Sequence, residues 1–352
     1  MKKVAVLVSG GVDSSVALRL LQDQGYDVTA FYLKIWLEDD LSFLGTCPWE
    51  DDLKQVNEVC EQAKVPLKIV SLQRAYLDRV VSYTVDEVRA GRTPNPDIMC
   101  NQRIKFGAFF DVIGGEYDLI ATGHYAKVAR LKDDCVELHC SPDPVKDQTY
   151  FLSYLSQNQL KKLIFPLGDL TKEQVRELAR RYDLPNKARK DSQGLCFLGK
   201  IKFRDFVKHH VGVQPGDIIE YETGVRLGSH DGFYFYTLGQ RQGLGLAGGP
   251  WYVVSKDQVS NRVFVSKNYF SDDKIRNELK IDKVSWFSGT RSDLTELKIK
   301  LRHGPQYHDG RLRYHADGSI TITLAQRDQG IAPGQFAALY DGPVCLGAGI
   351  IV

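Results

Sequence analysis

The stretch that decides the fold lies near the N-terminus, where residues 4–16 read VAVLVSGGVDSSV. Its first five residues form a continuous apolar run, which is typical of a strand buried on both faces of a parallel sheet. Two glycines and Asp13 follow, and apolar residues then recur at helical spacing until Gly25. The stretch therefore predicts a strand, a glycine turn and a helix that begins near Asp13.

The same alternation continues outward from this stretch. Further strands are predicted at 28–33, 67–72 and 119–122, and helices at 50–64, 76–89 and 100–113. A hairpin after residue 127 and two helices, at 157–163 and 172–182, are predicted next. Strands that alternate with helices imply an α/β fold with a parallel, doubly wound sheet.

The character of the chain changes beyond Gly212. Short β-type runs separated by Gly, Asn and Asp turns occur at 233–236, 252–254, 262–265, 297–301, 319–324, 336–339 and 344–351. Such spacing is typical of small all-β domains and of barrels. The C-terminal part of the chain therefore predicts one or two small β-domains, one of them a barrel.

Bulk properties exclude several classes of protein. No apolar run approaches the ~20 residues that a membrane-spanning helix needs, so no membrane association is expected. The seven cysteines are an odd number without a secretion signal or a Cys-x-x-Cys pair, which predicts a cytoplasmic protein without a structural zinc site. The net charge is only +2, but residues 180–210 carry nine Lys or Arg against three Asp. That local surplus of positive charge suits the phosphates of RNA.

The turn at residues 9–15 has the chemistry of an anion site. Its glycines let successive N–H groups face one point, and the helix N-terminus adds its positive dipole end. No lysine follows the glycines, which distinguishes the turn from a Walker A loop. The pattern Ser-Gly-Gly-x-Asp-Ser after a first strand resembles the loop of the PP-loop ATP pyrophosphatases, which cleave ATP between its α- and β-phosphates.

This resemblance implies a site for ATP and Mg²⁺, with Asp13 as the carboxylate on the magnesium side. A second part of the site is predicted at residues 122–125, because ligands of open parallel sheets bind at the carboxyl ends of strands. Leu33, at the end of the second predicted strand, is expected to present its backbone to adenine. The predicted nucleotide-binding residues are Leu7, Val8, Ser9, Gly10, Gly11, Val12, Asp13, Ser14, Leu33 and Gly123.

Two cysteines are candidates for the catalytic groups. Cys100 follows Asn95-Pro96-Asp97 at the start of a predicted helix, with Asp97 as the expected N-cap and Cys100 in the first turn. The helix dipole favours a thiolate there. Cys196 lies in the basic stretch. Each cysteine alone is more often a buried structural thiol, but one thiol that carries a persulfide and a second that resolves it form a minimal sulfur-transfer device.

Motifs spaced along the whole chain resemble those of one family. They occupy residues 9–15, 95–101, 122–126, 146–152, 191–197, 239–243, 333–335 and 345–349. In this order they resemble the tRNA-specific 2-thiouridylase (MnmA/TrmU) family of the PP-loop superfamily. The resemblance implies a PP-loop (HUP-like) catalytic domain at 1–200, a small central β-rich domain at 201–268 and a C-terminal β-barrel at 269–352.

The resemblance also implies a reaction. ATP adenylates O2 of the wobble uridine in a tRNA anticodon, and sulfur from a persulfide on Cys196 replaces that oxygen. Cys100 attacks the persulfide linkage, either freeing hydrosulfide or closing a disulfide with Cys196, and Asp97 accepts a proton or positions the base. The implied tRNA contacts are Asn95, Pro96, Asp97, His124, Lys146, Asp147, Gln148, Arg302, His303 and Gln335. The implied partners are tRNA and a persulfide-donating sulfur carrier or cysteine desulfurase, and we expect a monomer.

Three other interpretations stay open on the sequence. A different PP-loop enzyme, such as an amide-forming or lysidine-type synthetase, needs no paired cysteines. Cys100, Cys196 and Asp97 are alternatively three ligands of an iron–sulfur cluster whose free iron site carries sulfide. A non-enzymatic RNA-binding module uses only the basic stretch and the barrel. Cys47, in an irregular loop after the second predicted strand, is expected to have a structural or accessory role.

Overall fold

The N-terminal part of the molecule is built on a five-stranded parallel sheet. A computed structural model describes residues 1–35, 49–132, 134–190, 202–274, 276–328 and 330–352. With strands numbered in chain order, this sheet comprises β1 (Lys3–Leu7), β2 (Asp27–Lys34), β3 (Leu67–Ser71), β4 (Leu119–Ala121) and β7 (Leu163–Ile164). Their spatial order is β3-β2-β1-β4-β7, so β1 lies at the centre and the predicted parallel, doubly wound sheet is confirmed.

Helices cover both faces of this sheet. They are α1 (Val12–Asp23), α2 (Trp49–Ala63), α3 (residues 73–89), α4 (residues 96–113), α5 (Thr149–Leu152), α6 (Gln157–Leu160), α7 (Lys172–Arg181) and α8 (Phe203–Val211). Two of them contain a wider helical stretch with i→i+5 hydrogen bonding, Leu77–Val81 in α3 and Asn101–Ala108 in α4. Such stretches are frequent at functional sites, and the one in α4 begins directly after Cys100.

The apolar run at the start of the chain contributes side chains to two hydrophobic cores. Successive side chains of a strand point to opposite faces of the sheet. Ala5 and Leu7 therefore pack with α3 and α4 on one face, whereas Val4 and Val6 pack with α1 and α2 on the other. This two-sided burial explains why the run shows no alternation of apolar and polar residues.

A hairpin from the first 200 residues belongs to the C-terminal sheet. Its strands are β5 (Ala126–Arg130) and β6 (Val136–Cys140), and β6 pairs antiparallel with β17 (Val344–Ile351) through Val344↔His139. The hairpin itself was predicted, but its pairing partner lies about two hundred residues further along the chain. It joins the parallel-sheet region to the last part of the molecule.

A small four-stranded sheet follows. It comprises β8 (Gly216–Glu220), β9 (Arg226–His230), β10 (Tyr252–Asp257) and β11 (Arg262–Ser266), in the spatial order β10-β11-β8-β9. The predicted strand at 233–236 is wrong, because Phe233–Phe235 forms one turn of 3-10 helix. Its apolar pattern reflects burial of Phe233 and Tyr236 in the core of this small domain, not strand pairing.

The C-terminal part is a closed six-stranded barrel. Its strands are β12 (Glu278–Trp286), β13 (Glu296–Lys300), β14 (His308–Tyr314), β15 (Ile320–Leu324), β16 (Phe336–Asp341) and β17, in the order β12-β15-β14-β13-β16-β17. Pairing of β12 with β17 closes the ring, which removes the free sheet edges. The barrel and the small central domain confirm the predicted fold class. No helix within the described ranges is long and apolar enough to cross a membrane.

Candidate active site

The turn between β1 and α1 is held in a conformation that requires glycine at one position. Gly10 has φ +77°, and a Cβ atom there would lie 2.7 Å from Arg189 Nη1 and 2.8 Å from the backbone oxygen of Asp52. Both the left-handed backbone and the close neighbours exclude a side chain. Gly11, in extended conformation, is the N-cap of α1. The loop therefore leads directly into the N-terminus of α1, where backbone N–H groups and the helix dipole favour an anion.

Serine side chains brace the turn from within. Ser14 Oγ accepts a hydrogen bond from Ser9 N at 3.2 Å and donates one to Gly11 O at 3.0 Å. Ser15 Oγ also donates to Gly11 O at 3.0 Å. The hydroxyls thus fix the loop backbone in this structure.

Side chains from the region before Cys196 brace the turn from outside. Asn186 Nδ2 donates to Gly10 O and to Ser15 Oγ, both at 2.9 Å. Arg189 Nη1 donates to Gly10 O at 3.0 Å, and its other terminal nitrogen pairs with Asp52. Sequence reasoning missed Asn186, Arg189 and Asp52, because none of them lies in a pattern that indicates contact with a loop so far away along the chain.

Asp13 is the carboxylate of the turn, and Lys172 and Tyr125 hold it in place. It lies in the first turn of α1, where the helix dipole favours negative charge. Lys172 Nζ lies 2.7 Å and 2.9 Å from its two carboxylate oxygens, and Tyr125 OH donates to Oδ1 at 3.0 Å. A lysine therefore does reach the turn, although it comes from the first residue of α7 and not from the loop itself.

The sequence around Lys172 contains a pattern that indicates an unusual position for a lysine. Thr171 and Gln174 form a capping box that marks residue 172 as the first residue of a helix. A lysine is unfavourable there, because the positive end of the helix dipole repels it. A cation in this position needs a compensating anion elsewhere in the fold, and Asp13 supplies it.

The remaining predicted nucleotide-binding residues surround this loop. Gly123, at the end of β4, approaches α1 so closely that a Cβ atom would lie 2.7 Å from Ser14 N. Leu7, Val8 and Val12 are at least nine-tenths buried and support the turn by packing. Leu33 lies near the end of β2, in register with Val70 of β3, and packs against the larger sheet core. The structure thus brings Leu33 to the same carboxyl edge of the sheet, where its nucleotide role stays a prediction.

The Cys100 helix begins four residues earlier than predicted. Asn95 is the N-cap, since its side chain accepts a hydrogen bond from Ile98 N at 3.2 Å, and Pro96 is the first helical residue. The prediction of Asp97 as the cap is wrong, because Asn95 already performs that role. Cys100 is consequently the fifth residue of the helix and 2% exposed, so the dipole acts on it less than in the first turn.

Two titratable groups influenced by Lys105 of α4 have shifted pKa values. Burial raises the pKa of the Asp97 carboxyl, and the ammonium of Lys105 opposes that shift. Burial also lowers the pKa of His124 well below its usual value, and Lys105 adds to this effect. His124 Nδ1 lies 2.7 Å from Thr122 Oγ1. A carboxyl with a raised pKa is better suited to accept a proton near neutral pH, whereas the lowered pKa of His124 favours its uncharged form.

Two predicted tRNA contacts, Asn95 and Gln335, hold the barrel against the entry to α4, the helix that contains Cys100. Gln335 Nε2 donates to the backbone oxygens of Thr93 and Pro94 at 3.1 Å and 2.9 Å. Asn95 Nδ2 lies 3.4 Å from Gln335 Oε1. A Cβ atom on Gly334 would lie 2.8 Å from Thr93 O. The barrel loop and the entry to α4 therefore form one surface, on which the half-buried Gln335 remains a candidate for contact with RNA.

The side chains of Asp147 and Gln148 form contacts within the protein. Asp147 is 2% exposed, and its carboxylate pairs at 2.9 Å with Lys300 Nζ of β13, which is fully buried. Gln148 Oε1 accepts a hydrogen bond from Tyr125 N at 3.0 Å. In this conformation Asp147 is an anchor between the 143–148 turn and the barrel, while the neighbouring Lys146 is half-buried.

Arg302 and His303 lie at the surface on the loop after β13. The Arg302 side chain is 53% exposed and pairs with Asp328. The His303 ring stacks on Phe151, with ring centroids 4.9 Å apart. Phe151 O in turn accepts a hydrogen bond from Asn101, the residue after Cys100. The loop thus lies beside α4, and its role in RNA binding stays a prediction.

Cys196 and Cys47 lie outside the described residues, as does the centre of the basic stretch at 191–201. The predicted meeting of Cys100 and Cys196 therefore stays a prediction. Across the parts of the chain that the structure covers, no three His, Cys, Asp or Glu side chains are grouped as metal ligands would be.

Comparison with known proteins finds similarity along nearly the whole chain. Residues 2–200 match the family described as tRNA methyl transferase HUP domain, residues 204–267 its PRC-barrel domain, and residues 276–351 the aminomethyltransferase beta-barrel domain. The chain is 44% identical to a tRNA-specific 2-thiouridylase MnmA of Parabacteroides distasonis, with 99% of both chains covered. It is 44% identical to MnmA 2 of Bacteroides fragilis, again over 99% of each. It is 43% identical to MnmA of Porphyromonas gingivalis, over 99% of this chain and 98% of that one.

Proposed function

The chain belongs to the tRNA-specific 2-thiouridylase family, and we propose that it is a tRNA sulfurtransferase that replaces O2 of the wobble uridine with sulfur. The observation that carries this proposal is the end-to-end similarity to proteins of that name. The site geometry supports it, because the glycine turn directly follows β1, and the helix that carries the buried Cys100 packs in the same core as β1.

The first step activates the base. O2 of the uracil attacks the α-phosphorus of ATP, the bond to the β-phosphate breaks, and pyrophosphate leaves. The turn at 9–15 would hold that pyrophosphate through its N–H groups and the N-terminus of α1. Asp13 fits a Mg²⁺ site of the kind that combines one protein carboxylate with substrate phosphates and water, where the ion would neutralise phosphate charge. Lys172 and Tyr125 orient that carboxylate.

The second step delivers sulfur. The outer sulfur of a persulfide on Cys196 attacks C2, and AMP leaves with the former O2 oxygen. The Cys100 thiolate then attacks Sγ of Cys196, which breaks the persulfide bond, releases 2-thiouridine and closes a Cys100–Cys196 disulfide. Alternatively Cys100 attacks first, frees hydrosulfide and leaves that ion to attack C2. Either route ends in a disulfide that an external dithiol must reduce.

The surroundings of Cys100 suit this role. Asp97, with its raised pKa, lies three residues before Cys100 in the same helix and can accept the thiol or base proton. Exclusion of water around Cys100, which is 2% exposed, protects a reactive sulfur species from hydrolysis. We extend the proposal to a persulfide-donating partner protein, a monomeric enzyme and the domain boundaries 1–200, 201–268 and 269–352.

The deciding experiment measures sulfur in RNA. Unmodified tRNA is incubated with the full-length protein, ATP, Mg²⁺ and a persulfide donor, and its nucleosides are analysed by mass spectrometry. We expect 2-thiouridine with the wild type and none with Cys196→Ser or Cys100→Ser, because each lacks one sulfur of the relay. Cys135→Ser, a half-buried cysteine next to β6, is the matched control and should act as the wild type. Absence of 2-thiouridine with the wild type contradicts the proposal.

The same variants separate the rival functions. A synthetase of the PP-loop superfamily would release pyrophosphate and form its product equally well with Cys196→Ser. A cluster enzyme would contain iron after anaerobic purification and lose activity when the iron is removed. A binding module would bind tRNA without releasing pyrophosphate.

A further inference from the structure

Two chains of hydrogen bonds start at Asp13 and end in the same turn. That turn, residues 143–148, contains Lys146, Asp147 and Gln148, which are predicted to contact tRNA. One chain of bonds runs through Tyr125 and the other through Lys172. Residues 9–15, here called the ATP loop, and the 143–148 turn are thereby joined by two separate connections.

The first connection passes through one residue, Tyr125. Tyr125 OH donates to Asp13 Oδ1 at 3.0 Å, Tyr125 N donates to Gln148 Oε1 at 3.0 Å, and Gln148 N donates to Tyr125 O at 2.9 Å. Tyr125 is 1% exposed, so the packed core leaves its ring little freedom to turn away. Tyr125 therefore contacts Asp13 through its hydroxyl and Gln148 through its backbone.

The second connection runs through α7. Lys172 Nζ contacts both oxygens of Asp13, and Lys172 N donates to Asp143 Oδ2 at 3.0 Å. Asp143 Oδ1 accepts hydrogen bonds from Val145 N and Lys146 N, each at 3.1 Å. The capping box at Thr171 fixes the backbone of Lys172. The N–H of Lys172 contacts Asp143 and its ammonium contacts Asp13, so this one residue connects two carboxylates.

The turn is also connected to the barrel. Asp147 pairs with the buried Lys300 of β13 and accepts hydrogen bonds from Ser141 N and Thr149 Oγ1. The turn is consequently linked to Asp13 only indirectly, through the contacts of residues 143 and 148 with Lys172 and Tyr125. It contacts the barrel through Asp147. The 143–148 turn therefore lies between the ATP loop and the barrel.

We propose that Tyr125 and Lys172 are positioning residues that couple occupancy of the ATP loop to engagement of tRNA by the 143–148 turn. The inference rests on the proposed function, since it assumes that ATP and tRNA bind to one enzyme. Phosphates bound in the loop attract the Lys172 ammonium away from Asp13 or share it with Asp13. The bonds that hold Tyr125 and Asp143 then change, and the turn responds.

A purely supporting role makes a different prediction. If both residues only hold the loop in shape, their loss weakens ATP binding by the same factor with and without tRNA. If they couple the two sites, their loss changes the ratio of the two ATP affinities. Coupling is reciprocal and is measured by that ratio.

The experiment is a titration of the full-length protein with α,β-methylene-ATP, whose bridging carbon blocks cleavage, in the absence and presence of saturating unmodified tRNA. Calorimetry gives the two dissociation constants of each variant. Tyr125→Phe removes only the hydroxyl, Lys172→Met removes the charge, and Lys172→Arg restores it. Tyr182→Phe is the matched control, because Tyr182 OH also donates to an aspartate, Asp23, at 2.6 Å but lies away from the loop.

We expect tRNA to tighten ATP binding about fivefold or more in the wild type and in Tyr182→Phe, a typical size for coupling between sites. The ratio should fall to within about twofold of one in Tyr125→Phe and Lys172→Met, with partial recovery in Lys172→Arg. A wild-type ratio near one, or variants that weaken both affinities equally, overturns the inference. If Lys172→Met does not bind ATP, Tyr125→Phe decides the matter.

Failure of this inference is distinct from failure of the proposed function. A wild type that forms 2-thiouridine but shows a ratio near one overturns the coupling alone. A wild type that shows the coupling but incorporates no sulfur into tRNA overturns the thiolation alone.

Discussion

The buried ion pair between Lys300 and Asp147 allows a quantitative prediction about stability. The two side chains are 0% and 2% exposed, and their charged atoms lie 2.9 Å apart. At an effective dielectric constant of about 20, the attraction across this distance is about 6 kcal/mol. Much of it is offset by the loss of hydration of both groups. The effect of a substitution on the free energy of unfolding therefore depends on the charge that stays buried without a partner.

Lys300→Met leaves the Asp147 carboxylate buried without its cation. Ser141 N and Thr149 Oγ1 still donate to it, but neither carries a charge. Removal of one partner of a buried pair typically costs about 3–5 kcal/mol, so we expect Lys300→Met to lower the free energy of unfolding by that amount. The double variant Lys300→Met with Asp147→Asn should recover part of the loss, because no uncompensated charge remains.

The chain offers a matched control two residues away. Lys298 lies on the same strand and pairs at 2.6 Å with Asp309, but its side chain is 50% exposed. Water solvates both partners, so Lys298→Met should cost only about 0–1 kcal/mol. Urea denaturation followed by circular dichroism gives both values. Equal losses for Lys300→Met and Lys298→Met would show that burial does not set the strength of this pair and would refute the reasoning.

Two further predictions concern the site. Gly10→Ala places a Cβ atom 2.8 Å from the backbone oxygen of Asp52, whereas Gly25→Ala has the same backbone strain, φ +78° against +77°, but no atom within 4 Å. We therefore expect pyrophosphate release to be lost in Gly10→Ala and retained in Gly25→Ala. Because burial raises the pKa of Asp97, its carboxyl stays protonated to higher pH than an exposed aspartate and becomes a base only as the pH rises through that raised value. The acid limb of the pH profile of kcat/KM should therefore lie above the usual aspartate pKa of 3.8 and should disappear in Asp97→Asn; an unchanged limb in that variant contradicts the assignment.

Local chemistry made much of the fold predictable. A strand buried on both faces must be apolar throughout, and a helix must repeat its apolar residues at 3.6-residue spacing. These constraints predicted the parallel sheet and the anion turn at 9–15. They failed at 233–236, where apolar residues fill a core from a 3-10 turn, because burial alone produces the same composition as a strand. They also misplaced the cap of the Cys100 helix, since both Asn95 and Asp97 are good capping residues.

The sequence by itself determined the order of sheet, small domain and barrel, the glycine turn, and the position of Cys100 and Cys196 within motifs of a sulfur-transfer enzyme. Only the tertiary structure decided which side chains hold that turn. Lys172 reaches Asp13 across 159 residues and Asn186 reaches Gly10 across 176. The capping box marks Lys172 as a cation at a helix N-terminus, but nothing local identifies Asp13 as its partner or selects Asn186 to contact Gly10. The physical reason is that such pairings depend on how strands and helices pack in space, whereas periodicity and turn chemistry record only the nearest turns of the chain.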